Sequence, residues 1–103
     1  STTLTVDDLN VVLASGAADS SAADGAGITI DGASATILYD HTGTQWEMNK
    51  PLEIAGNLYP SADDTYDLGS AAKKWNNIHA KTVHVDGSTL VSRLVVSSLI
   101  EQR

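Results

Sequence analysis

The chain has 103 residues, enough for one domain, and its 13 acidic and 6 basic residues give a formal net charge of −7. This charge makes nucleic acid and anionic membranes unfavourable partners, and no apolar run approaches the ~20 residues that cross a membrane. The absence of Cys excludes disulfides and thiolate metal sites, and with no Phe, two Trp and three Tyr there are few large side chains to build a core.

The N-terminal segment is predicted to contain two short strands and then a linker. Apolar residues recur at every second position in 4–6 and again in 9–13, which favours strands around an acidic turn. Thr5 followed by Asp8 resembles a capping box, which would favour a helix instead. Residues 15–27 contain only small and acidic side chains, so we expect a surface loop there.

From Ile28 onward, short alternating segments separated by turn residues predict a β-meander. Asp31-Gly32 is a strong turn signal between the first two strands. In the third strand, Trp46 and Met48 share one face. The predicted strands are 28–30, 35–39, 44–48, 52–54 and 79–85.

One short helical turn is predicted near residues 70–77, where a Ser follows Gly69 and helix-forming residues come next. Seven residues do not hold a helix alone in water, so packing must stabilise this turn. Trp75 and Ile78 are three residues apart and would share a face. We therefore expect Leu68, Trp75 and Ile78 to be buried together in a small packing cluster.

The C-terminal segment, 88–103, has two readings that both stay open. Its apolar residues fit helical spacing, whereas its β-branched residues favour a strand. In either conformation the segment would be sticky if it were exposed on a monomer. The candidate oligomer-interface residues are Leu90, Val91, Leu94, Val95 and Leu99.

Residues 57–80 read NLYPSADDTYDLGSAAKKWNNIHA and carry a recognisable order of features. An apolar pair precedes Pro60, an acidic turn leads into YDLGS at 66–70, and a basic residue precedes Trp75. This order resembles a recurrent segment of tailed-phage tail-fibre proteins. The chain departs from it at His79, where the segment usually carries an aromatic residue. The resemblance extends, less specifically, over about Gly25 to Gly87.

The resemblance implies a structural module of a bacteriophage tail fibre, located in the virion and extracellular when functional. It implies a mainly β, short-stranded meander in an elongated, intertwined homotrimer, which forms a rigid shaft or connector for host attachment and contacts adjacent tail-fibre segments. The small number of large apolar residues also favours identical chains that complete each other's cores. We expect three regions: N-terminal strands and linker (1–27), the fibre-like module (28–87) and an oligomerisation or continuing-shaft segment (88–103).

Two alternative roles remain open beside the structural one. The module could be an adhesin that binds a host glycan or surface protein, with Trp46, Tyr39 and Tyr59 as possible ligand contacts. Aromatic residues at alternating strand positions more often pack on the sheet. The chain could also be a fibre assembly element in which the segment 88–103 sets the register of the trimer.

The sequence predicts no enzyme, no cofactor and no metal site. It contains no G-x-S-x-G, P-loop or H-E-x-x-H motif. Asp63, Asp64 and Asp67 lack the register of an EF-hand and are expected to cap a turn. His79 and His84 are five residues apart in a predicted strand, so they would point to opposite faces and could not bind one ion together.

Overall fold

The computed structural model describes residues 2–86, and the chain divides into two units, 1–58 and 59–103. The first unit contains a three-stranded antiparallel sheet with strand order β1-β2-β3. The strands are β1 (Gly27–Ile30), β2 (Ala35–Asp40) and β3 (Gln45–Met48). No helix forms among residues 2–86. The predicted mainly β fold class is therefore confirmed, as are its first three strands.

Two loops of four residues each, 31–34 and 41–44, connect the strands, and both contain polar residues that favour turns. The predicted turn after β1 is confirmed, with Gly32 at φ 82° and Ser34 at φ 51°. In the second loop Thr44 has φ 50°, and the carboxylate of Asp40 accepts a hydrogen bond from the backbone N of Gly43 at 2.9 Å. Left-handed residues and an Asx-type bond let so short a loop reverse the chain.

Asn49 follows β3 directly and closes that end of the sheet. Its Oδ1 accepts a hydrogen bond from the backbone N of Thr36 at 2.8 Å, and its Nδ2 donates to the carbonyl of Ser34 at 2.7 Å. Its own backbone N donates to the carbonyl of Thr36 at 3.4 Å. The amide thus extends the pairing of β2 and β3 past the point where the strand ends.

Several strands that the alternation of apolar and polar residues predicted do not form. Alternation marks a segment that could present one apolar face, but a strand also needs a partner for its backbone hydrogen bonds. The four segments named below are flanked by acidic or proline-containing stretches. In the described part of the chain none of them pairs with another strand. The predictions that are wrong are the strands at 4–6, 9–13, 52–54 and 79–85.

The predicted helical turn near 70–77 is also wrong. Ser70 and Lys73 exchange backbone hydrogen bonds of 3.0 and 3.3 Å in both directions, which closes a tight two-residue loop in place of a helical turn. The backbone N of Lys73 also lies 3.0 Å from Ser70 Oγ, and Gly69 precedes the loop at φ 82°. These local bonds satisfy the backbone without the costly nucleus that a seven-residue helix would need.

None of residues 2–86 is buried. The predicted burial of the packing cluster is therefore not found within one chain, where Trp75 is 62% exposed, Leu68 70% and Ile78 69%. The described residues of their unit form no strand or helix on which an indole could pack. The candidate oligomer-interface residues of 88–103 lie outside the described residues.

Gly27 provides a test of the sheet. A Cβ at this position would overlap the carbonyl oxygen of Ile37 and lie 2.8 Å from Leu38 Cα, both of them rigid backbone atoms. We expect Gly27→Ala to lower the free energy of unfolding by about 1–3 kcal/mol, the usual cost of overpacking. Gly56→Ala is the matched control, because nothing lies within 4 Å of its Cβ position. Chemical denaturation monitored by circular dichroism measures both variants, and equal midpoints would contradict the expected close approach of β1 to β2.

Candidate functional site

The pairing register sorts the side chains of the three strands onto two faces. Ile37 lies opposite Ile28 on one side and Met48 on the other, while Tyr39 lies opposite Trp46. Side chains alternate across a strand and paired residues share a face, so the two faces follow directly from this register. One face carries no charged residue, and we call it the open apolar face: Ile28, Ile30, Ala35, Ile37, Tyr39, Trp46 and Met48.

The open apolar face is uncovered in the described part of the chain. Trp46 is 69% exposed, Ile28 55% and Ile37, at the centre of the sheet, still 39%. Full burial of one such side chain contributes roughly 1.5–3 kcal/mol, so covering this face would release a large part of the free energy that a small fold needs. Among the described residues, this face is therefore the largest group of exposed apolar side chains that share one side of the sheet.

Two of the predicted ligand-contact residues lie side by side at one end of this face. The rings of Tyr39 and Trp46 are 6.2 Å apart at an interplanar angle of 78°, an edge-to-face contact. Together with Val11 and Leu13 of the N-terminal segment, these two rings line a cleft of about 270 Å³. The third residue, Tyr59, belongs to the second unit. The alternating pattern indicated the apolar side of β3, but it gave no sign that the N-terminal segment reaches Trp46.

The opposite face of the sheet is acidic and mostly polar, with Leu38 as its one large apolar residue. It includes Thr29, and a cleft of about 280 Å³ on this side is lined in part by Asp24, Asp40 and Glu47. Asp24 accepts a hydrogen bond from the backbone N of His41 at 2.9 Å, and Asp40 closes the loop after β2. These carboxylates therefore stabilise turns. Within 2–86 no group of three or more His, Cys, Asp or Glu residues is placed to hold a metal ion.

Residues 15–26, which we call the small-residue loop, are held at the end of β2 by hydrogen bonds between side chains. Ser20 Oγ lies 2.5 Å from the hydroxyl of Tyr39 and 2.9 Å from Nδ1 of His41. Backbone bonds from Gly25 N to the Tyr39 carbonyl, 2.8 Å, and from Tyr39 N to the Ala26 carbonyl, 2.7 Å, continue the pairing. These contacts join residues between 13 and 21 positions apart in the sequence, and no local signal identified them. Since the network joins a loop to a strand end, we assign it a positioning role.

Asp19 stabilises the start of the same loop. Its Oδ1 accepts hydrogen bonds from the backbone N of Ala22 at 3.0 Å and from Ser21 Oγ at 2.8 Å. The bond from Ala22, followed by that from Ser21, lowers the pKa of Asp19 below its ordinary value of 3.8. The folded carboxyl thus holds its proton less tightly than the unfolded one. Its contribution to stability is present above pH 3.8 and is lost as pH falls through the lowered pKa.

The second unit contains a separate apolar cleft. The three residues of the predicted packing cluster, Leu68, Trp75 and Ile78, line it together, with a volume of about 400 Å³. The indole of Trp75 lies close to Gly69: a Cβ added to this glycine would be 3.3 Å from the indole Cδ1. These three residues therefore lie together on non-helical chain rather than on the predicted helical face, and one chain leaves them exposed.

Comparison of the chain with protein-family models, with curated proteins and with solved structures found no match. No helix capable of spanning a membrane occurs between residues 2 and 86. The features of the molecule that bear on function are the open apolar face, the cleft at Trp75 and the motif in which that cleft lies.

Gly69 tests the turn that supports the Trp75 cleft. Gly69→Ala would place a side chain at φ 82°, 3.1 Å from the carbonyl oxygen of Lys73 and against the indole. We expect it to cost about 1–2 kcal/mol, the penalty of a left-handed residue with a Cβ, and to shift the NMR signal of the Trp75 indole N–H. Gly56→Ala should leave that signal in place, because it meets nothing within 4 Å. An unmoved indole signal in Gly69→Ala would contradict the contact.

Proposed function

We propose that this chain is a structural module of a bacteriophage tail fibre. In this proposal three copies form a β-rich rigid shaft or connector in the virion, joined to adjacent fibre segments and serving host attachment. The proposal gives the chain no catalytic activity and no cofactor. The observation that carries it is the absence of any buried side chain among residues 2–86, together with an apolar sheet face that lies open.

Folding costs the chain conformational entropy, and the burial of apolar side chains has to offset that cost. Fixing one residue's backbone costs about 1–2 kcal/mol, and hydrogen bonds alone return little of it on a net basis. A single copy of residues 2–86 buries no apolar side chain that could supply the difference. Copies of the same chain that cover each other's apolar surfaces do supply it, which is the usual solution in symmetric oligomers.

The motif indicates which kind of oligomer this is. The YDLGS turn at 66–70 and Trp75 resemble the tail-fibre segment, and in this structure residues 67–70 of that turn line one exposed cleft with Trp75 and Ile78. A turn that displays an indole to solvent is suited to packing against a neighbouring chain of an elongated assembly. The carboxylates on the polar face of the sheet would stay in water and keep such a rod soluble.

Oligomeric mass tests the proposal. Multi-angle light scattering and sedimentation at micromolar concentration should give three times the mass of one chain, with no change on tenfold dilution. The thermal transition should depend on protein concentration, as it does when folding and association are coupled. A stable, folded monomer would overturn the tail-fibre proposal.

Receptor binding is a second candidate, favoured by the exposure of Trp46 beside Tyr39 and of Tyr59, which is 77% exposed. Exposed aromatic rings stack on sugars, so a host glycan is the expected ligand class. A glycan array probed with the assembled protein distinguishes this role, because a structural shaft should give no specific signal. The assembly role rests on residues 88–103, outside the described part of the chain.

A further inference from the structure

We propose that the open apolar face is the surface through which three copies of the chain pack, so that Ile28, Ile37 and Met48 of every copy meet around a common axis. This inference rests on the proposed function and adds to it the surface that builds the shared core. The occupant of the face is accordingly the same face of further copies, rather than a glycan or a different protein.

Charge selects this face over the opposite one. The polar face displays Asp40 and Glu47, with Asp24 beside them, on a chain whose net charge is −7. Two copies that met through that face would bring like charges together at a cost of several kcal/mol. The open apolar face has no such charge, and Lys50 only lines its rim beside Ile28. The long stem of a lysine can lie along an apolar surface while its ammonium group stays in water.

The dimensions of the sheet fit three copies. Three strands about 4.8 Å apart make a face roughly 14 Å wide. Three such faces form a triangular prism whose axis lies about 4 Å from each sheet, close to half the ~10 Å that separates packed sheets. Side chains from the three faces would therefore just fill the interior.

Closure also favours three copies over two. Two copies packed face to face would leave four open strand edges. Among the described residues, β1 and β3 pair only with β2, so their outer edges are unpaired. A three-fold arrangement places β1 of each copy beside β3 of the next and so covers the edges that otherwise promote aggregation.

The sheet face by itself is smaller than a stable interface. A face of three strands, four residues long, covers roughly 190 Å², whereas a stable interface buries about 800 Å² on each partner. Val11 and Leu13, both exposed, extend the apolar surface at the Tyr39 and Trp46 end. The sheet is then the centre of a longer contact, where a buried charge is most disruptive.

Cross-linking through a single introduced cysteine tests the arrangement directly, because the chain has no Cys of its own. Ile37→Cys lies at the centre of the open apolar face, and Thr29→Cys is the matched control on the polar face of β1. Oxidation by dissolved oxygen with a copper catalyst, which takes two electrons from a pair of thiols, should join Ile37→Cys chains by a disulfide in high yield and leave Thr29→Cys chains unlinked. Equal yields at the two positions would overturn the proposal.

A second pair of variants uses the mass of the assembly as the readout. Ile37→Asp should shift the light-scattering mass from three chains to one, since a carboxylate buried without a partner costs several kcal/mol. Thr29→Asp should keep the mass of three. A trimer that survives Ile37→Asp would overturn this surface assignment and leave the tail-fibre proposal standing, whereas a monomeric parent chain would overturn both.

Deletion of residues 87–103 tests whether a segment of the same chain, rather than another copy, covers the open apolar face. If that segment covered the face, its removal would make Ile37→Cys reactive toward a water-soluble maleimide without changing the mass of the assembly. This outcome would overturn the proposal. The result expected is that Ile37→Cys in the shortened chain stays protected from the maleimide as long as the light-scattering mass is that of three chains.

Discussion

The strict alternation of side chains along three short strands is the constraint on which the rest of the structure depends. It places Ile28, Ile37, Met48 and the Tyr39–Trp46 pair on one side of a single-layered sheet. The described chain provides no second layer to cover them, and no side chain among 2–86 is buried. A sheet of this size has a complete hydrogen-bond ladder between its strands but lacks the apolar burial that makes a fold stable.

Polar contacts and apolar contacts consequently have different tasks in this molecule. The polar ones act within a chain: Asp40 shapes a loop, Asn49 ends the sheet, and Ser20 fastens the small-residue loop to Tyr39 and His41. They determine which residues pair and in what register. They are exposed and individually weak, at about 0.5–1.5 kcal/mol each. Apart from Tyr39, the residues of the open apolar face take no part in these contacts, and no described residue of the same chain buries them.

The parts of the fold that could be predicted were those with local signals. Asp31-Gly32 between two alternating segments identified the first hairpin, and the apolar parity of Trp46 and Met48 identified the correct side of β3. The same alternation in 52–54 and 79–85 failed, because strand formation depends on a partner that alternation does not report.

The candidate sites show the same limit. The three-residue spacing of Trp75 and Ile78 predicted a shared helical face, but no helix forms there. The two residues line one exposed cleft, and their predicted burial was not found in one chain. The contacts of Ser20 with Tyr39 and His41 join residues about twenty positions apart in a loop of small side chains, so nothing nearby in sequence marks them. The amide of Asn49 bonds back to Thr36 and Ser34, which lie 13 and 15 positions earlier, so no local pattern indicated its role.

That amide has a chemical consequence. Asn49 uses its oxygen as an acceptor and its nitrogen as a donor at the same time, so Asp, although nearly identical in shape, would not serve there. Spontaneous deamidation during ageing would replace the donor with a negatively charged oxygen aimed at the carbonyl of Ser34. The margin of the sheet would then be pushed apart by two acceptors, which makes the lifetime of one side-chain amide a limit on how long the sheet keeps its closed end.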